Sequence, residues 1–217
     1  FTLGANSVGP TVTPGTEVTT KFTSRGVQTS YPFTVTAKVH TTFDVTASDW
    51  GTGAAELQVL QSNGTQVVVC KLAKVPTFCD FTPTVSGTWK VAIVPLSGAL
   101  GSAKFKLATD QNKGVLAVNT PSTADIATRG QRAFWTFAAS AGKQSTIVVS
   151  ASSWGTGGSA VLSIYPPTGP RVLACPITGA TATCKFTTAT GGTWKAELGP
   201  NGTALGKATL TLSPPPT

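Results

Sequence analysis

Apolar and polar residues alternate along this chain in runs of five to eight, the period of strands with one face buried. In the first half the alternation predicts strands at Phe33 to Lys38, Thr41 to Ala47, Glu56 to Gln61, Gln66 to Lys71, Phe78 to Thr82, Gly87 to Val94 and Ala103 to Ala108. Trp89, Val91 and Ile93 share one face of the sixth run, and Trp194, Ala196 and Leu198 repeat that face about a hundred residues later. These tryptophans are therefore expected in a core. Asn63-Gly64 separates two runs as a tight hairpin turn, and Thr168-Gly169 stands at the matching place. No window carries apolar residues at helical spacing, and 23 Gly and 15 Pro interrupt the chain too often for long helices.

The recurrence is systematic. Arg25-Gly26 matches Arg129-Gly130 at an offset of 104, as do Phe33 with Phe137 and Trp50-Gly51-Thr52-Gly53 with Trp154-Gly155-Thr156-Gly157. Gly158 is then extra, and the offset becomes 105: Leu57 with Leu162, Cys70 and Cys79 with Cys175 and Cys184, Gly87-Thr88-Trp89-Lys90 with Gly192-Thr193-Trp194-Lys195, Leu100-Gly101 with Leu205-Gly206. Copies at 10–110 and 114–213 follow. Seven or eight short strands per copy predict an all-β chain of two tandem jelly-roll-like β-sandwich domains. Residues 1–9 fall outside both copies, yet Phe1-Thr2-Leu3 lines up with Phe105-Lys106-Leu107, the closing strand of copy one. This orphan strand needs an edge, either on its own first domain or, as a donor strand, on a neighbouring subunit. Residues 214–217 form a Pro-rich tail, the composition of an extended linker or a docking tail.

The four cysteines fall into two pairs of equal spacing without the further Cys or His pair that a zinc site needs. Local disulfides Cys70–Cys79 and Cys175–Cys184 are the better reading, and they imply a secreted or cell-surface location. The formal charge is +8, but the sixteen Lys and Arg are scattered singly, with no basic stripe for nucleic acid. No run of eighteen apolar residues is present to span a membrane, and no basic-then-apolar leader opens the sequence.

From Gly130 through Phe134-Trp135-Thr136-Phe137, Ala141-Gly142-Lys143, Leu162-Ser163-Ile164-Tyr165, the Cys175 to Cys184 pair, Lys185-Phe186 and Gly192-Thr193-Trp194, copy two resembles bacterial pre-peptidase C-terminal domains, and copy one follows the same order more loosely. The resemblance implies a compact β-sandwich appended to secreted peptidases and other exported proteins, binding collagen or polysaccharide in some members and aiding secretion in others. Many members bind calcium through an Asp-x-Asp cluster before the Leu-x-Val strand. Here those positions read Ala54-Ala55-Glu56-Leu57 and Ser159-Ala160-Val161-Leu162. A single carboxylate supplies too few oxygens for calcium, so no metal or other cofactor is expected.

Catalytic material is sparse. His40 is the one histidine, read as a solvated turn residue, and its counterpart is Gln144. A carboxylate pair for glycoside hydrolysis has Asp44, Asp49, Glu56 and Asp80 to draw on in copy one, and copy two has nothing between Asp125 and Glu197. The expectation is a protein that is not an enzyme. Trp50 and Trp154, each followed at once by Gly-Thr-Gly, lie at a strand end and either stack on a ligand or cap their own core. Tyr31 and Trp135 read as structural. Asn63-Gly64-Thr65 and Asn201-Gly202-Thr203 are glycosylation sequons as well as plain turns.

Two functions are compatible with this pattern. The first is a structural subunit of an extracellular filament or surface assembly, with a role in cell adhesion, self-associating when Phe1, Thr2 and Leu3 add a strand to a neighbour. The alternative is a tandem accessory module that holds a secreted hydrolase on collagen or polysaccharide.

Overall fold

The computed structural model describes residues 5–72 and 76–213. The chain divides into two compact units, Phe1–Thr109 and Asp110–Thr217. Among the described residues no helix occurs, and each unit has nine strands. In the first they are β1 (Ser7–Val8), β2 (Glu17–Phe22), β3 (Thr29–Val35), β4 (Thr41–Asp49), β5 (Ala54–Leu60), β6 (Gln66–Leu72), β7 (Thr77–Phe81), β8 (Gly87–Leu96) and β9 (Gly101–Thr109). The second repeats them as β10 (Gln111–Val115), β11 (Ser122–Ile126), β12 (Ala133–Ala139), β13 (Lys143–Ser153), β14 (Ala160–Tyr165), β15 (Leu173–Ile177), β16 (Ala182–Thr188), β17 (Gly192–Pro200) and β18 (Gly206–Ser213).

Each unit is a sandwich of two sheets. In the first, strands in the order β1-β3-β8-β5-β6 face strands in the order β2-β9-β4-β7, and the second has β10-β12-β17-β14-β15 facing β11-β18-β13-β16. The interior takes alternate residues from both sheets: Phe33, Leu57, Trp89, Val91 and Ile93 from one, Phe43, Val45, Phe81, Phe105 and Leu107 from the other. Phe33 meets Phe43 edge-on at 5.0 Å between ring centroids. Phe137, Leu162, Trp194, Ile147 and Leu210 fill the second interior in the same way.

Ser7–Val8 run parallel to Thr29–Ser30, as Gln111–Asn112 run parallel to Ala133–Phe134. Sequence alternation missed this strand because two residues have no period to detect. It places Ser7–Val8 in the sheet of its own unit. The segment Phe1-Thr2-Leu3 and the tail 214–217 lie outside the described residues. Strand β3 begins before Phe33 and includes Pro32, which pairs with Lys90. On its other side the Pro32 carbonyl accepts a hydrogen bond from the Val12 N–H at 2.8 Å.

The disulfides clasp the open side of each sandwich. Cys70 lies on β6 and Cys79 on β7, end strands of the two sheets, with Cα atoms 6.1 Å apart; Cys175 and Cys184 join β15 to β16 at 5.8 Å. On the loop-entropy account each contributes about 2–3 kcal/mol. The repeated Leu-Gly at the start of β9 and β18 has a steric cause. A Cβ on Gly101 would collide with the Asp49 carbonyl oxygen, and one on Gly206 with that of Ser153.

Replacing Cys175 and Cys184 together with Ala should lower stability to urea by about 2–3 kcal/mol without changing the far-ultraviolet circular dichroism. Gly206→Ala should cost more than that, because a backbone oxygen cannot rotate away.

Candidate functional site

Trp50 and Trp154 are in the cores, 3% and 4% exposed. The cause is a β-bulge that simple alternation does not reveal. Phe43 and Val45 point inward on β4, the register against β9 shifts between Val45 and Ala47, and beyond it Ser48 and Trp50 take the inward positions. On β13 the shift falls between Ser150 and Ser153, after inward Ile147 and Val149, and buries Ser152 and Trp154. Neither ring offers a face to a ligand. Both indole Nε1 atoms are buried without an acceptor among the described residues, whereas Trp135 Nε1 donates to Ser122 Oγ at 2.8 Å and Trp194 Nε1 to the Thr190 carbonyl at 3.1 Å. Clefts of about 640 and 410 Å3 lie beside Trp50 and Trp154, walled by Gly51-Thr52-Gly53 with Leu96 to Leu100, and by Gly155 to Gly158 with Asn201 to Leu205. The two clefts occupy matching places in the two copies.

His40 is not a solvated turn residue. Its side chain is largely buried, and Nε2 lies 3.2 Å from Asp80 Oδ2. The four candidate carboxylates do not converge: Glu56 is on β5, in the other sheet from Asp44, Asp49 and Asp80, and Asp49 Oδ1 accepts the Gly51 N–H at 3.1 Å. Tyr31 and Trp135 are buried. Asn63 closes its turn by accepting the Thr65 N–H at 3.0 Å, and Asn201 Nδ2 donates to Ser159 Oγ at 2.9 Å. Among the described residues no group of three His, Cys, Asp or Glu could hold a metal ion.

One constellation was not anticipated, and it lies on the outer face of the second unit's five-stranded sheet. Val161, Ser163 and Tyr165 alternate outward on β14, Lys195 and Glu197 on β17. Register sets Tyr165 beside Lys195 and Ser163 beside Glu197. Arg132, at the start of β12, and Arg171, before β15, reach onto the same face. Together Arg132, Val161, Ser163, Tyr165, Arg171 and Glu197 line a cleft of about 240 Å3.

Glu197 is held between two cations, with Arg132 Nη1 3.1 Å from Oε1 and Lys195 Nζ 2.7 Å from Oε2. Lys195 Nζ also sits 4.4 Å from the centroid of the Tyr165 ring, a cation–π contact. Arg171 Nη1 donates to Ser163 Oγ at 3.3 Å. Arg132 and Lys195 are about 40% exposed (39% and 41%). Pairs that open to water contribute about 0–1 kcal/mol each, so stability is a weak reason to gather three cations here.

Copy one lacks the cluster. At the matching positions Arg132 is replaced by Gln28, Tyr165 by Leu60, Arg171 by Gln66, Ser163 by Gln58 and Glu197 by Ala92, with Lys90 alone retained. The pairing of β5 with β8 matches that of β14 with β17, Gln58 beside Ala92 and Leu60 beside Lys90. At the fifth strand the frames differ: Gln66 pairs with Leu60 within β6 across a register shift, whereas Arg171 precedes β15.

No protein-family model matches the chain, and no curated protein matches it. Among solved structures it is similar to the pre-peptidase C-terminal domain of a collagenase from Bacillus anthracis, at 17% identity and a TM-score of 0.37, over 48% of this chain and 94% of that one. It is also similar to tripeptidyl peptidase 2, at 8% identity and TM-score 0.34 over 96% of this chain and 24% of that one. A third likeness is to the CBM22 tandem of Xyn10C from Paenibacillus barcinonensis, at 8% and 0.28 over 86% and 75%.

Because Trp50 and Trp154 make no indole hydrogen bond among the described residues, their replacement by Phe loses ring volume alone. Trp135→Phe and Trp194→Phe lose a hydrogen bond as well, and should be the more destabilising pair by about 1 kcal/mol in chemical denaturation.

Proposed function

We propose that this is an extracellular, non-catalytic binding module, of the kind that holds a secreted hydrolase on a polymeric substrate or surface, and that the second copy makes the contact. The observation that carries the reading is the face at Arg132, Tyr165, Arg171, Lys195 and Glu197, a set of charged hydrogen-bonding groups around one aromatic ring on a rigid sheet. An extended polymer suits an open sheet face better than a small ligand does, since small ligands favour enclosed, mostly apolar cavities. Tyr and Arg are also the residues most often found carrying binding energy at protein surfaces. The two disulfides support a location outside the reducing cytosol. Collagen and polysaccharide are the two polymer classes to try.

The reading as a filament subunit depends on Phe1, Thr2 and Leu3, which lie outside the described residues. The binding reading depends on side chains within hydrogen-bonding distance of one another.

The full chain should co-sediment with an insoluble polysaccharide or with collagen fibrils. Tyr165→Ala combined with Arg132→Ala should weaken that retention at least tenfold, and Trp50→Phe should leave it unchanged. Retention indifferent to the double substitution would remove the face from the account.

A further inference from the structure

Taking the second copy's sheet face as the contact surface, we infer that its occupant is an anionic polysaccharide, with a carboxylate or sulfate group of the chain seated on the guanidinium of Arg171. The ion pairs of this face leave Arg171 uncompensated. Glu197 is the one carboxylate lining the cleft among the described residues, and its two oxygens go to Arg132 and Lys195. Arg171 has Ser163 Oγ, a neutral partner, and among the described residues no carboxylate within ion-pairing distance. A guanidinium presents a planar fork of donors that fits a carboxylate or sulfate through two parallel hydrogen bonds.

The aromatic group argues the same way. A neutral sugar is held mainly by stacking on a bare ring, but here Lys195 Nζ stands over the Tyr165 ring. The ring thus holds a positive charge in place above the sheet. The surrounding field has the matching sign, since the second unit has eight Lys and Arg against three acidic residues, Asp110, Asp125 and Glu197. Asp110 adds one carboxylate near the rim, where it accepts the Arg132 backbone N–H at 3.0 Å. In copy one the position of Arg171 is Gln66 and that of Arg132 is Gln28, so the sister face has neither guanidinium. A single-stranded nucleic acid would need bare rings for its bases, and Lys195 stands over the Tyr165 ring.

Binding of the full chain to polygalacturonate, dextran sulfate, neutral dextran and duplex DNA, each at low and at physiological salt, tests the inference. Polygalacturonate or dextran sulfate should bind, and which of the two binds more tightly identifies the anionic group. Raising salt should weaken the complex. Arg171→Gln should lower affinity about tenfold, the scale of one charge-assisted contact, with Arg171→Lys in between and the melting temperature unchanged. Lys90→Gln, on the sister face, should have little effect. Equal losses from Arg171→Gln and Lys90→Gln would show general attraction to the net charge and overturn the inference. Dextran bound as tightly as its sulfate, insensitive to Arg171→Gln, would overturn it while sparing the binding reading. DNA bound more tightly than either acidic glycan would also overturn it. No binding to any of these polymers or to collagen would remove both proposals.

Discussion

In a sandwich strand every second residue is committed to the space between the sheets, and that commitment is what both copies share. Phe33, Phe43, Phe81 and Trp89 fill the first interior, Phe137, Phe186 and Trp194 the second. Removing one such ring leaves a hole that neighbours on two sheets can only partly close, at a cost of about 3–5 kcal/mol. The positions between them face outward and are free of this constraint. The repeat is therefore better preserved on the inward parity of each strand than on the outward one, which is why one face has neither guanidinium on the first unit and two on the second.

Much of the frame was legible in the sequence. Alternation located seven of the first unit's nine strands, missing β1 and the mostly exposed β2, the offset between matching motifs separated the copies, and equal spacing paired the cysteines that join β6 to β7 and β15 to β16. What escaped had local causes. Ser7–Val8 is too short to alternate. The bulges after Val45 and Ser150 invert parity, so Trp50 and Trp154 stand at strand ends that look exposed yet turn inward. His40 is replaced by Gln144 in copy two, and its partner Asp80 is forty residues away.

The site escaped for a different reason. A search for repeats rewards identity, and identity between copies marks scaffold. Arg132, Tyr165, Arg171 and Glu197 differ from Gln28, Leu60, Gln66 and Ala92, so they vanish from such a comparison. A signal was nevertheless present. Substitution of neutral by charged or aromatic residues at several outward positions of matching strands picks out this face, once inward parity has been assigned from the tryptophans.

The most direct measurement is a map of backbone amide shifts of the full chain, by nuclear magnetic resonance, as a short acidic oligosaccharide is added. The account predicts that shifts concentrate on β12, β14 and β17 around Arg132, Ser163, Tyr165 and Glu197, and that β3, β5 and β8 stay still. Shifts centred on the Trp50 and Trp154 loops, or spread equally over both units, would contradict it.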